Sequence, residues 1–179
     1  MEVYEVEIRG TRPLLMHAPV EIGDKPTRRR GEHLPPEKEA EMYLYKDPEG
    51  NICIPAVNIK AMLRDAGRNY RVRGRKITFG AVIRAALEIE PFYIPLIHNG
   101  WVVDVRPVVV QKNRILRARP RFDSWGLRFR IKNHDPTIIP MDMVKKILID
   151  AGKYYGLCDF RPEFGLFEVT KFEKLDVRG

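Results

Sequence analysis

Residues 51–66 read Asn-Ile-Cys-Ile-Pro-Ala-Val-Asn-Ile-Lys-Ala-Met-Leu-Arg-Asp-Ala, and a change of period inside this stretch decides the fold. Asn51 to Ile54 is a short apolar run suited to a strand. Pro55, with no backbone N–H to leave unpaired and a fixed φ, then opens a helix. Within that helix Val57, Ile59, Met62, Leu63 and Ala66 make an apolar stripe, while Lys60, Arg64 and Arg68 fall four apart on one exposed face.

Upstream, Val3 to Ile8 alternates apolar and polar residues as a half-buried strand does, and the pattern predicts that it runs on through Pro13 toward Leu14, Leu15 and Met16. Residues 18–36 hold Gly23, Pro26, Arg28, Arg29, Arg30, Gly31, Pro35 and Pro36, the composition of a long exposed loop. Pro36 to Tyr45 begins as a helix begins, with proline and acids, and Asp47 to Gly50 supplies a turn.

Downstream, Arg71 to Lys76 is a charge run around Gly74, and Phe79 to Leu87 is compatible with helix or strand. Residues 86–97 read as a strand interrupted by Pro91 and Pro95, and His98-Asn-Gly100 is a turn signal. Trp101 to Val110 and Leu127 to Ile131 read as strands. The second sets Leu127, Phe129 and Ile131 against Arg128, Arg130 and Lys132, predicting one apolar face and one cationic face. Between them Gln111 to Arg121 is predicted to project as a hairpin arm. Pro140 to Tyr155 is a helix that Gly156 closes, and Leu166 to Leu175 is a last strand. The order is strand, helix, strand, strand, helix, strand. It predicts a single α+β domain over residues 1–179: a ferredoxin-like or RRM-like antiparallel sheet with two main helices on one face, an early insertion at about 18–50 and a basic β-hairpin arm.

The chain carries 32 lysines and arginines against 24 acids, a net +8, and the excess is concentrated. Lys60, Arg64, Arg68, Arg71, Arg73, Arg75 and Lys76 face one acid, Asp65. From Trp101 to His134, nine basic residues face Asp104 and Asp123. Segregated cations are the footprint of a phosphate-binding surface. No run approaches the ~18 apolar residues of a membrane span, and the charged opening does not resemble a signal peptide, so a cytoplasmic protein without a membrane partner is expected. Cys53 and Cys158 lie apart in apolar surroundings and read as buried thiols. No cysteine or histidine spacing suits zinc, and no cofactor fingerprint is present, so neither metal nor cofactor is expected.

Three segments carry a resemblance. The stretch Gly50 to Arg64, the opening strand followed by Pro13-Leu-Leu-Met16, and the loop Tyr155-Gly-Leu-Cys-Asp-Phe-Arg-Pro-Glu-Phe-Gly165 are similar, in order, to landmarks of the RAMP superfamily of CRISPR-associated proteins. Ala56 stands where that pattern has glycine, and the closing loop has Gly156 and Gly165 rather than a dense glycine run. The chain also resembles small phage and mobile-element proteins that share the Arg-Pro-x-Phe-Gly closing strand. The RAMP resemblance implies an RRM-like domain that binds single-stranded nucleic acid, commonly RNA, as a homo-oligomer or as a subunit of a larger complex.

The residues support a binding surface of cations and aromatics. Arg12, Arg106, Arg119 and Arg161 each precede a proline, which disfavours helical backbone and is expected to hold them out from the chain. Arginine forks suit phosphate oxygens, and Phe122, Trp125, Phe129, Phe160 and Phe164 lie within a few residues of such cations. The predicted contacts are the ridge Lys60, Arg64, Arg68; the loop Arg71, Arg73, Arg75, Lys76; the arm and following strand Lys112, Arg114, Arg117, Arg119, Arg121, Trp125, Arg128, Arg130; and Arg161. No Walker loop, His-Glu-x-x-His, ordered Ser-His-Asp set or carboxylate cluster is present. Two alternatives stay open: a metal-independent endoribonuclease using a histidine, His17 before His33, His98 or His134, as some RAMP endoribonucleases do; and an assembly protein whose arm contacts other subunits.

Overall fold

The computed structural model describes residues 1–20 and 34–176. Arg28, Arg29, Arg30 and His33 therefore lie outside the described residues. In chain order, β1 is Glu2–Gly10, β2 Leu14–Leu15, α1 Pro36–Met42, β3 Cys53–Pro55, α2 Ala56–Gly67 and α3 Phe79–Ala86. Then follow β4 Leu87–Glu90, β5 Tyr93–Pro95, β6 Ile97–His98, β7 Val102–Val110, β8 Asn113–Phe122 and β9 Trp125–Asn133. Helix α4 spans Met141–Asp150, and β10 spans Phe167–Leu175.

The main sheet runs β10-β1-β9-β4, with every neighbouring pair antiparallel. Counted along the βαββαβ path, that is spatial order 4-1-3-2, the ferredoxin-like arrangement. The alternation read from the sequence sets which face is buried. Tyr4, Val6 and Ile8 of β1, Leu127, Phe129 and Ile131 of β9, and Leu87 and Ile89 of β4 turn to the helices. There they meet Ile59, Met62, Leu63 and Ala66 of α2, Ile83 of α3, and Val144, Ile147 and Leu148 of α4. Each large apolar side chain withdrawn from water here contributes roughly 1.5–3 kcal/mol, which makes this layer the main source of stability. No helix among the described residues is long and apolar enough to cross a membrane.

Three expectations are corrected. The first strand does not run on through Pro13: the chain breaks after Gly10, and β2 joins a separate sheet, β2-β8-β7. The arm is the β7–β8 hairpin itself, its two-residue turn at Gln111 and Lys112 having φ of 48° and 68°, the double left-handed geometry that matches strand twist. The outer face of β9 is not a free cationic stripe. Arg128 stands opposite Glu7, Arg130 opposite Glu5 and Glu90, and Lys132 opposite Glu88. Arg128 Nε lies 2.8 Å from Glu7, Lys132 pairs with Glu90, and Lys171 of β10 lies 2.5 Å from Glu5. Period two reveals which side chains share a face, but the counter-charges come from strands distant in sequence.

The ambiguous segment 79–87 is helical up to Ala86, and the charge run 71–76 is a tight turn. Val72 N–H donates to Ile77 O at 3.0 Å while Gly74 takes φ 73°, so buried Val72 anchors a loop whose Arg71, Arg73, Arg75 and Lys76 are exposed.

Candidate nucleic-acid interface

The four main-sheet strands hold seven acids and six bases, whereas segments 56–86 and 134–162, which build the helix layer, hold twelve bases and five acids. Excess positive charge in the described main fold therefore sits on the helix side. Lys60, Arg64 and Arg68 lie there on α2, as expected, though Asp65 tempers two of them: Arg64 Nη2 is 3.2 Å and Arg68 Nη1 3.4 Å from its carboxylate. Arg71, Arg73, Arg75 and Lys76 extend the same layer and have no ion-pair partner among the described residues.

A groove of about 720 Å³ opens between the end of α2 and the closing loop, lined by Arg68, Asn69, Tyr154, Tyr155, Phe160 and Arg161 among others. A recess of about 280 Å³ shares Cys158, Asp159 and Arg161 with it and adds His17, Tyr45 and Asn58. Local geometry explains these walls. After α4 the chain widens into a π-helical turn, Ala151–Tyr155, closed by the Gly156 N–H on Ala151 O at 2.8 Å; Tyr154 remains 67% exposed. The loop then folds tightly on itself: Leu157 N–H donates to Gly165 O at 3.0 Å, and a Cβ on Gly165, at φ 80°, would sit 2.0 Å from Leu157 O. Phe160, at φ 56°, keeps its ring 43% exposed. Two exposed aromatics thus line the groove with Arg68 and Arg161.

At the back of the groove, Asp159 joins three elements. His17 Nδ1 lies 3.5 Å from its carboxylate, and Arg119 Nη1 pairs with the same oxygen. The His17 hydrogen bond, then the Arg119 charge, hold the Asp159 carboxyl down at about 2 against the opposing effect of burial. The His17 ring rests on Tyr43, centroids 4.2 Å apart. Cys158, expected to be buried, is half-buried because it lines the groove while packing against the core, and burial pushes its thiol up to about 12. Cys53 is buried as expected, its thiol raised to about 11 by burial.

Several predicted contacts are placed elsewhere. Trp125 is 3% exposed, its indole N–H donating to Arg12 O at 2.8 Å, and its ring fills the space a Gly10 side chain would need. It is a core residue, not a base-stacking platform, because the turn before it is tight enough to draw it under β1. Phe122, Phe129 and Phe164 are buried as well. Arg119 is 2% exposed rather than held outward. Arg106 pairs with Asp104 at 2.6 Å and lies 4.7 Å above the Phe164 ring, and Arg12 pairs with Glu163 at 3.2 Å. Of the four arginines before proline, Arg161 lines the groove as an exposed cation. Arg117 and Arg121 are engaged by Glu39 and by Asp104 and Asp123, leaving Lys112 and Arg114 exposed at the arm tip. Arg128 and Arg130 occupy the opposite, charge-balanced face. Tyr154, Asn69 and Asp159 escaped the sequence reading. Two tyrosines beside a helix-ending glycine were the available signal for Tyr154; Asp159 had none, since its partners are about 40 and 140 residues away.

Among the described residues no three His, Cys, Asp or Glu side chains converge as metal ligands. No protein-family model matches the chain, and no curated protein matches it. Among solved structures, a chain in the cryo-EM structure of the Type III-B Cmr-beta bound to cognate target RNA is similar, with a TM-score of 0.62 at 14% identity, over 97% of this chain and 60% of that one. This chain therefore spans about 60% of the length of the structure it matches. The likeness is one of fold, and it agrees with the ferredoxin-like α+β architecture expected from the order of the elements.

Proposed function

We propose that the protein binds single-stranded nucleic acid, RNA foremost, in the groove between α2 and the closing loop, as a subunit of a larger assembly. The observation that carries this reading is the grouping of Tyr154 and Phe160, both exposed, with Arg68 and Arg161 around one groove. Aromatic faces stack on bases of any sequence while arginines follow the phosphates. The exposed cations of the loop Arg71 to Lys76 and of the arm tip, Lys112 and Arg114, add to the positive surface open to phosphates. The Cmr-beta neighbour, which its structure holds with target RNA, supports the choice of RNA.

The test is fluorescence anisotropy with matched single-stranded RNA, single-stranded DNA and duplex DNA at two salt concentrations. The expected result is salt-sensitive binding to single strands, weakened roughly 5- to 150-fold by Tyr154→Ala with thermal stability unchanged, the effect of losing one base stack. Equal affinity in the Tyr154→Ala variant, or no binding by the native chain, overturns the assignment.

A second reading rests on His17, which stands beside Asp159 in the adjoining recess. A carboxylate on Nδ1 fixes a histidine's tautomer and orientation, as general acid–base chemistry requires. RNA cleavage without added metal, abolished by His17→Ala, is the outcome that would establish it.

A further inference from the structure

Four arginines of the chain grip carboxylates with the same edge of the guanidinium, the adjacent Nε and Nη2 donors. Arg64 does so on Asp65 at 3.3 and 3.2 Å, Arg106 on Asp104 at 2.6 and 3.2 Å, Arg121 on Asp123 at 2.8 and 3.4 Å, and Arg9 on Glu168. Arg119, the most deeply buried of the five, does the reverse. It gives Nη1 to Asp159 and, among the described residues, finds no partner for Nε or Nη2, in a side chain 3% exposed. An intact two-donor edge, desolvated and empty, is an unusual thing to keep inside a protein: buried donors almost always find acceptors.

The Phe160 ring packs against this guanidinium. Phe160 lies with its ring centroid 5.9 Å from the Arg119 guanidinium carbon and is itself 43% exposed to the groove. Its φ of 56° lies in the left-handed region that a bulky residue rarely occupies. Arg106 also lies against this ring, its guanidinium 5.9 Å from Phe160 and 4.7 Å from Phe164. Asp159 and Phe160 both line the groove, so Arg119 sits one side chain behind its surface.

We propose that Arg119 is a concealed phosphate ligand: its empty Nε–Nη2 edge takes two oxygens of one phosphodiester of the bound strand when the Phe160 ring turns aside. The proposal rests on the nucleic-acid reading above for the source of the phosphate. Phosphate chemistry matches these two donors. Two parallel donors on a planar cation match two oxygens of a phosphate, and the bond is charge-assisted on both sides. Asp159 keeps its hold on Nη1 throughout and so orients the fork. Phe160, freed from the cation, becomes available to a base, which couples the phosphate contact to stacking in one movement.

The experiment follows the Arg119 Nε–H resonance in full-length, nitrogen-15-labelled protein, first with inorganic phosphate and then with a short oligouridylate RNA. The expected result is a saturable displacement of that resonance by the RNA. Arg119→Lys, which keeps the charge but loses the fork, then binds about tenfold more weakly, and Arg119→Gln, which loses the charge as well, lowers the log–log salt slope by about 0.7. Phe160→Ala, with the cover removed, shows the displacement at lower inorganic phosphate than the native chain. RNA that binds while the Arg119 resonance stays still, or an unchanged salt slope in Arg119→Gln, overturns the proposal and leaves Arg119 a structural residue. If RNA does not bind at all, the function assignment fails separately, and the inorganic phosphate titration of Phe160→Ala decides the site: displacement sustains it, none refutes it.

Discussion

Arg117 donates from Nη1 to Glu39 at 3.1 Å and to the Tyr43 hydroxyl at 3.3 Å, so a cation predicted to reach nucleic acid instead fastens α1 to the arm. Arg114, three residues nearer the tip, is exposed. Two neighbours on one strand thus have separable effects. Arg117→Ala is expected to lower unfolding free energy by roughly 1–2 kcal/mol, since it strands a half-buried Glu39, while leaving the salt slope of RNA binding unchanged. The Lys112→Ala, Arg114→Ala double variant is expected to do the opposite, flattening the slope by about 1.4 with an unaltered melting temperature. Thermal melts and salt titrations on both variants check this; a stable Arg117→Ala protein with a flattened slope would reverse the two roles.

Trp125 and Gly10 share one volume. A methyl group at position 10 would lie 2.1 Å from the indole nitrogen, so Gly10→Ala must displace the ring or bend β1. Trp125→Ala leaves a cavity at the junction of β1, β6 and β9 and is expected to lose about 3–5 kcal/mol. Urea unfolding measures both, and a Trp125→Ala protein as stable as the native one would contradict the burial described here.

The acid limb of stability should carry a mark of Asp159. Its pKa falls from an ordinary 3.8 to about 2 on folding, so its contribution is fully present above pH 4 and is lost as pH falls toward 2. With the side chain 35% exposed, solvent screening reduces the effect to on the order of 1 kcal/mol. Asp159→Asn should therefore lose less stability than the native chain between pH 4 and pH 2. Melting curves across that range make the comparison, and parallel losses would detach Asp159 from the acid response.

The elements of the main sheet and both long helices were legible because each follows from local periodicity: alternation in β1 and β9, the three-four spacing of α2, proline at the helix starts. The order of those elements then left the ferredoxin-like arrangement as the natural solution. What escaped was set by pairing across the sequence. Arg128 looks free until β1 lies beside it and supplies Glu7. Arg119 looks outward-held until the closing loop brings Asp159 over it. Pro13 hid a change of sheet, since the apolar run Leu14, Leu15 and Met16 after the break reads as more of the same strand. The interface suffered most for this reason. Composition locates cations, but whether a cation is free depends on acids from other strands, and the groove's own aromatic, Tyr154, is turned outward by a π-helical turn that no spacing announces.

The cross-strand pairing of acids and bases on the open side of the main sheet has a consequence for motion through solution. With one side balanced and the helix side positive, the described fold carries an electric moment across its thickness. In the field of a polyanion such a body rotates as it approaches, helix side leading. Charge reversal at Glu5 and Glu7 would leave the groove untouched and yet slow productive encounter, because the molecule would lose its sense of front and back.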